Sequence, residues 1–234
     1  MRVLVDYDNL PEPLRAQGPI TLADRVFDVI RRYLPEKDHV HIRLYGGWFL
    51  EEKLTKRAQD LLVALGTSFP YPLWIRDTSI PRLVPVTAQL AYSLEKLPKK
   101  FLHNTFRQRP PARRMSCEDP LSQGCGGGSC PLSPMVSFIN SGHCSEAGCA
   151  ITTKHLLKAH GGQKLVDTML VADLAYLGTI DAVIAVVSSD DDIWPGVITA
   201  LVDGAHVLHI RTGMANSGIQ YVAGVPGKYS ELSL

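Results

Sequence analysis

The chain is expected to adopt an α/β fold: a central, mainly parallel sheet flanked by helices. Three observations carry that expectation. Short apolar runs end in acids, segments of helical period lie between them, and 234 residues at 45% hydrophobic content suffice for a buried core. Strands that alternate with helices in this way build a parallel, doubly wound sheet.

Taken in order, Arg2–Val5 is a short, mostly apolar run followed by acids, which suits a buried parallel strand with a polar carboxyl end. Thr21 with Asp24 resembles a capping box, and Leu22, Val26, Phe27, Ile30 and Tyr33 follow at helical spacing. Val40–Leu44 reads as the second strand, Glu51–Leu65 as the second helix and Leu73–Ile75 as a third strand, weakened by Pro70 and Pro72. Beyond residue 150 the alternation resumes with a helix over Lys164–Leu177 and a strong apolar strand over Ala182–Val187. A helix over Trp194–Val202, ended by Gly204, precedes a strand over His206–Ile210.

Between these two zones, residues 97–150 are rich in Gly, Pro, Ser and Cys and keep no period. The segment opens with Lys99, Lys100, Arg107, Arg109, Arg113 and Arg114, interleaved with Phe101 and Phe106, a composition that suits an RNA backbone with stacked bases. An ordinary solvated charge run explains it nearly as well. All five cysteines lie between Cys117 and Cys149. Cys125 and Cys130, with Cys144 and Cys149, form two pairs of equal spacing that suit a structural Zn²⁺, with Cys117 and His143 as substitutes. The competing reading is a loop with free thiols.

Bulk properties exclude little. A formal net charge of +1 does not by itself mark a nucleic-acid binder, so basic surface must come from local clustering. No apolar run reaches the roughly 18 residues that a membrane span needs. The apolar stretch of MRVLVDYDNL is too short for a signal peptide, so the expectation is a cytoplasmic protein without membrane association.

Function is expected at the carboxyl edge of the sheet, where loops converge. The first strand ends in Asp6, Asp8 and Asn9, and a later one runs into Ser188, Ser189, Asp190, Asp191 and Asp192. Asp167 begins a helix. An extended backbone would aim Asp190 and Asp192 to one side. Carboxylates brought together repel one another unless a cation joins them, and oxygen-only ligands select Mg²⁺ or Mn²⁺. Such an ion polarises a phosphoryl oxygen and activates water, which suits phosphodiester hydrolysis. Plainer readings make Asp192 a helix cap, Asp167 a partner of the helix dipole, and Asp8 and Asp191 ordinary loop acids.

These stretches resemble the motifs of NYN-type, PIN-like metal-dependent ribonucleases. V-D-Y-D-N-L resembles the first motif through Asp6 and Asn9; K-L-V-D-T-M-L-V-A-D-L resembles the second through Lys164, Asp167 and Asp173; V-V-S-S-D-D-D-I-W-P resembles the third through Asp190 and Asp192. Ser189 and Ile193 stand where the family usually has Gly and Phe. The resemblance implies a Rossmann-like PIN fold (α/β/α) formed by residues 1–96 and 151–234, with residues 97–150 as an unusual insertion.

It further implies an Mg²⁺ or Mn²⁺ centre held by Asp6, Asp167, Asp190 and Asp192. Asn9, Ser188, Ser189 and Lys164 would contact substrate or orient the acids. Six helical residues turn Asp173 about 240° from Asp167, so the two cannot easily share one ion. RNA is the implied substrate, and a homodimer or a regulatory protein is a further implied partner. The alternatives are a DNA or small-phosphoester hydrolase using the same site, and a non-catalytic RNA- or protein-binding adaptor.

Overall fold

The computed structural model describes residues 1–34, 39–76, 81–107, 115–120, 122–124, 130–157, 162–163, 165–212 and 218–234. The chain divides into two compact units, one of Met1–Phe106 with Gln163–Leu234 and one of Arg107–Gly162.

The first unit opens with β1 (Arg2–Asp6), α1 (Glu12–Ala16), α2 (Gly18–Ile30), β2 (Val40–Tyr45), β3 (Phe49–Leu50), β4 (Lys53–Leu54), α3 (Lys56–Ser68), β5 (Tyr71–Ile75) and β6 (Arg82–Leu90). The short strands β7 (Phe106–Arg107) and β8 (Gly162–Gln163) sit where the chain leaves and re-enters it, and the second unit carries α4 (Ser133–Ser141) and α5 (Thr153–Leu156). The first unit closes with α6 (Val166–Gly178), β9 (Val183–Val187), α7 (Trp194–Val202), β10 (His206–Arg211), α8 (Ile219–Val222) and β11 (Lys228–Ser233).

Seven strands form one sheet in the order β11-β10-β9-β1-β2-β6-β5. All neighbours pair in parallel except β5, an antiparallel edge strand. Counted along the chain, the six parallel strands stand as 3-2-1-4-5-6, the doubly wound order. Its switch point lies between β1 and β9.

Side chains leave a strand alternately, and the core obeys that rule. Val3 and Val5 pack with Leu22, Val26 and Phe27 of α2 and Leu61 and Leu65 of α3. Leu4 packs on the opposite face with Leu170 and Leu174 of α6 and Val197 and Leu201 of α7. Each such side chain contributes roughly 1.5–3 kcal/mol by leaving water. Helix α6 also presses closely on α7: a Cβ on Gly178 would lie 2.5 Å from Cα of Ala200.

Several expectations need correction. Leu73–Ile75 belongs to the antiparallel edge, and the third parallel strand is β6, which Pro85 disguised. Pro85 faces Pro72 of β5 and precedes the stretch paired with β2, which starts at Val86, so its missing N–H interrupts no bond to β2. The second helix starts later than Glu51, because a β3–β4 hairpin intervenes and Thr55 caps α3 by accepting from the Ala58 N–H. Thr21 lies inside α2 and donates to the Gln17 carbonyl, so it is no cap. Residues 97–106 belong to the first unit. No described helix is long and apolar enough to cross a membrane.

Candidate metal centre

Three segments bring carboxylates to the switch point. Asp6 ends β1, Asp167 lies in the first turn of α6, and Asp190 follows β9. Strand alternation puts Asp6 on the face of Leu4, the face that α6 covers. Each of the three offers an oxygen within 4.8 Å of the others, and among the described residues no other group of three or more potential ligands gathers in this way. Leu165, at the cap of α6, holds a left-handed φ of 67°, a conformation that costs a non-glycine residue about 1–2 kcal/mol.

Both side-chain donors that reach Asp6 among the described residues go to one oxygen. Its Oδ2 accepts from Nδ2 of Asn9 (2.8 Å) and from Oγ of Ser188 (3.0 Å). Its Oδ1 is buried and accepts no hydrogen bond among the described residues. Burial lifts the Asp6 pKa from 3.8 to about 6; the Asn9 and Ser188 bonds lower it in part, and the charge of Asp167 adds to the rise. An oxygen without a donor, beside two further carboxylates, is an arrangement whose chemistry a hard divalent cation would suit. The donor set therefore fits Mg²⁺ or Mn²⁺.

The supporting residues fix this geometry. Asn9 spans the cluster, its Nδ2 donating also to Oδ2 of Asp190 at 3.0 Å. Ser188 is fully buried; its Oγ accepts from the Asp190 N–H at 3.1 Å while donating to Asp6. His209 holds Ser188 from below. Burial lowers the His209 pKa to about 4, so the ring is neutral at pH 7. A carbonyl can only accept, so Nε2 carries the proton and donates to the Ser188 oxygen at 3.0 Å. Sequence reasoning missed His209, because neither histidine of the strand HVLHIR stands in a pattern that carries a signal of its own.

Other expected residues lie elsewhere. Asp192 is outside the cluster and exposed: residues Asp191–Ile193 wind into a 3-10 turn, which ends the extended alternation. Asp192 instead gives its backbone N–H to Oδ1 of Asp190 at 3.1 Å. Ser189 is taken by Thr212, whose N–H it accepts at 2.9 Å. Ser188 serves as a support for Asp6. Lys164 and Cys125 lie outside the described residues, as do Arg109, Arg113 and Arg114.

Cys117, Cys130, Cys144 and Cys149 form no disulfide with one another, and neither they nor His143 gather into a group of three or more ligands among the described residues. His143 turns its Nδ1 to the Ser141 carbonyl, 2.9 Å away.

Two acids read as plain loop residues have definite partners. Asp8 accepts from the Gly47 N–H at 2.9 Å and pairs with Arg57. Asp191 accepts from Nε1 of Trp194 at 3.2 Å. Asp173 faces away from the centre, as its angular offset on α6 requires. No family model, no curated protein and no solved structure matches the chain.

Proposed function

We propose that the chain is a metal-dependent nuclease of the PIN-like type, hydrolysing RNA phosphodiester bonds at Asp6, Asp167 and Asp190. One observation supports the reading: three carboxylates from separate segments meet at the switch point of a doubly wound sheet, and a buried Asp6 oxygen among them has no donor among the described residues. A merely structural acid cluster would be expected to draw arginine or backbone donors to that oxygen.

In this reading Asp6, Asp167 and Asp190 hold Mg²⁺ or Mn²⁺. Bound there, the ion supplies Lewis acidity toward a phosphoryl oxygen and toward water. Asn9 keeps the Asp6 and Asp190 carboxylates in register through its two bonds. Ser188 and His209 hold the loop after β9 against movement, so the ligand positions are set before substrate arrives.

The test is cleavage of end-labelled single-stranded RNA, and of the matching DNA strand, with Mn²⁺, Mg²⁺ or EDTA. Asp190→Asn is the control. The expected result is metal-dependent cutting of RNA that falls about a thousandfold in Asp190→Asn. Preference for DNA would shift the substrate class, and cutting by neither metal would overturn the proposal.

A further inference from the structure

A second cleft has none of the three carboxylates in its lining. Tyr7, one residue beyond Asp6, turns to the opposite face and lines a space of about 460 Å³ with Arg15, Lys56, Arg57 and Asp60. Gly18 and Pro19, at the start of α2, line the same cleft. Tyr7 is only 8% exposed, and its hydroxyl makes no hydrogen bond among the described residues. The hydroxyl oxygen itself keeps access to solvent, so it is open to a ligand in the cleft. Burial raises its pKa while Arg57 and Arg15 draw it down, so both guanidinium groups act on the ring from nearby.

The charges of the cleft nearly cancel. Arg57 pairs with Asp8, Lys56 reaches Asp60 at 2.6 Å, and Arg15 bonds only the Asp8 carbonyl, at 3.4 Å. Three cations against two carboxylates leave one positive charge, the complement of a single phosphodiester. A free nucleotide with a terminal phosphate carries more charge than this cleft balances. The chain also links cleft and centre directly, since Asp8 serves the cleft while Asn9, the next residue, bonds Asp6 and Asp190.

We infer that this cleft holds one phosphodiester of a single-stranded polynucleotide, adjacent to the bond presented at the carboxylates. Arg15 and Lys56 pair with its oxygens, and the Tyr7 hydroxyl donates to one of them. Arg57, tied to Asp8, sets the wall. The polynucleotide class rests on the nuclease reading, whereas the anion-binding chemistry follows from the cleft itself.

The experiment measures anisotropy of a fluorescein-labelled single-stranded RNA bound to the full chain in EDTA, over a series of salt concentrations. The double substitution Arg15→Gln with Lys56→Gln is expected to weaken binding about tenfold. It should also flatten the slope of log affinity against log salt by about 0.7, the share of one phosphate on a single strand. Tyr7→Phe is expected to weaken binding about threefold at an unchanged slope, because the lost hydroxyl is neutral. Equal thermal midpoints for the variants confirm intact folds.

Unchanged affinity and slope in the double variant, or no binding by the wild type, overturn the inference. Parallel digestion in Mn²⁺ separates the two readings. Binding lost in the double variant, without cleavage by the wild type, keeps the cleft and sinks the nuclease. Cleavage with binding unaltered in the double variant does the reverse.

Discussion

Helix α6 places two aspartates, Asp167 and Asp173, in very different company. Asp173 is buried with both oxygens engaged: Oδ2 takes the Tyr45 hydroxyl at 2.6 Å and Oδ1 the Glu95 N–H at 2.7 Å. Arg43, which also pairs with Glu95 at 3.0 Å, stands 3.6 Å away. Burial still raises the Asp173 pKa, but Tyr45, the Glu95 N–H and Arg43 all pull it back. Asp167 meets Asp6 and Asp190 instead, and among the described residues Oδ1 of Asp6 there has no donor. The two clusters thus differ in how they meet a buried carboxylate: Asp173 has donors at both oxygens, Asp6 at one alone.

The widest separation between the two clusters should appear on deleting an acid from each. Asp173→Ala takes one of two carboxylates from Arg43 and leaves it in the core with Glu95 and the Ser93 carbonyl, and breaking a buried pair in this way costs about 3–5 kcal/mol. Urea denaturation of the metal-free protein reads that loss. A variant as stable as the wild type would show that Arg43 needs no more than Glu95.

Asp6→Asn should act in the opposite direction. The unfolded chain ionises Asp6 near 3.8 and the folded, metal-free chain at about 6, so ionisation favours unfolding. That cost is absent below pH 3.8, grows between 3.8 and 6, and is complete above 6 at about 3 kcal/mol. In EDTA at pH 8 Asp6→Asn should therefore be the more stable protein by up to that amount, with the gain vanishing at pH 4. Stability lost at both pH values would mean that the Asp6 charge is already compensated from within.

A cation reverses the same balance. Mn²⁺ or Mg²⁺ should raise the thermal midpoint of the wild type, since a ligand that binds only the folded state stabilises it by mass action. Below pH about 6 the ion must displace the Asp6 proton, so its apparent affinity should fall about tenfold per pH unit. Titrations monitored by thermal shift at pH 5, 6 and 7 check this. A pH-independent midpoint shift would place the ion away from Asp6.

Much of this was legible before any coordinates, for a physical reason. Strands such as Val183–Val187 are buried on both faces and read as unbroken apolar runs, and α7 carries its stop signal in Gly204. Asp6 and Asp190 were legible because one ends such a strand and the other lies in the short polar run just beyond one. The misses arose where tertiary context overrides local pattern. Pro85 looks like a breaker until the pairing shows that its missing N–H interrupts no bond to β2. Asp192 looks like a partner of Asp190 until the chain winds into a 3-10 turn. The Asp6–Ser188 bond joins residues 182 positions apart, beyond the reach of any local periodicity.

The finest comparison removes one hydroxyl from each cluster. Tyr45→Phe deletes the donor to Asp173, and Ser188→Ala deletes a donor to Asp6. Each loses one hydrogen bond to a buried carboxylate and should cost about 1–3 kcal/mol in EDTA. Activity should separate them. Tyr45→Phe touches no ligand and should cut RNA within about twofold of wild type. Ser188→Ala frees Asp6 and the Asp190 N–H together and should lose about tenfold or more in rate, as losses among the residues that orient metal ligands do. Equal rates in the two variants would mean that Asn9 alone positions Asp6, leaving the Ser188–His209 support with a purely structural part.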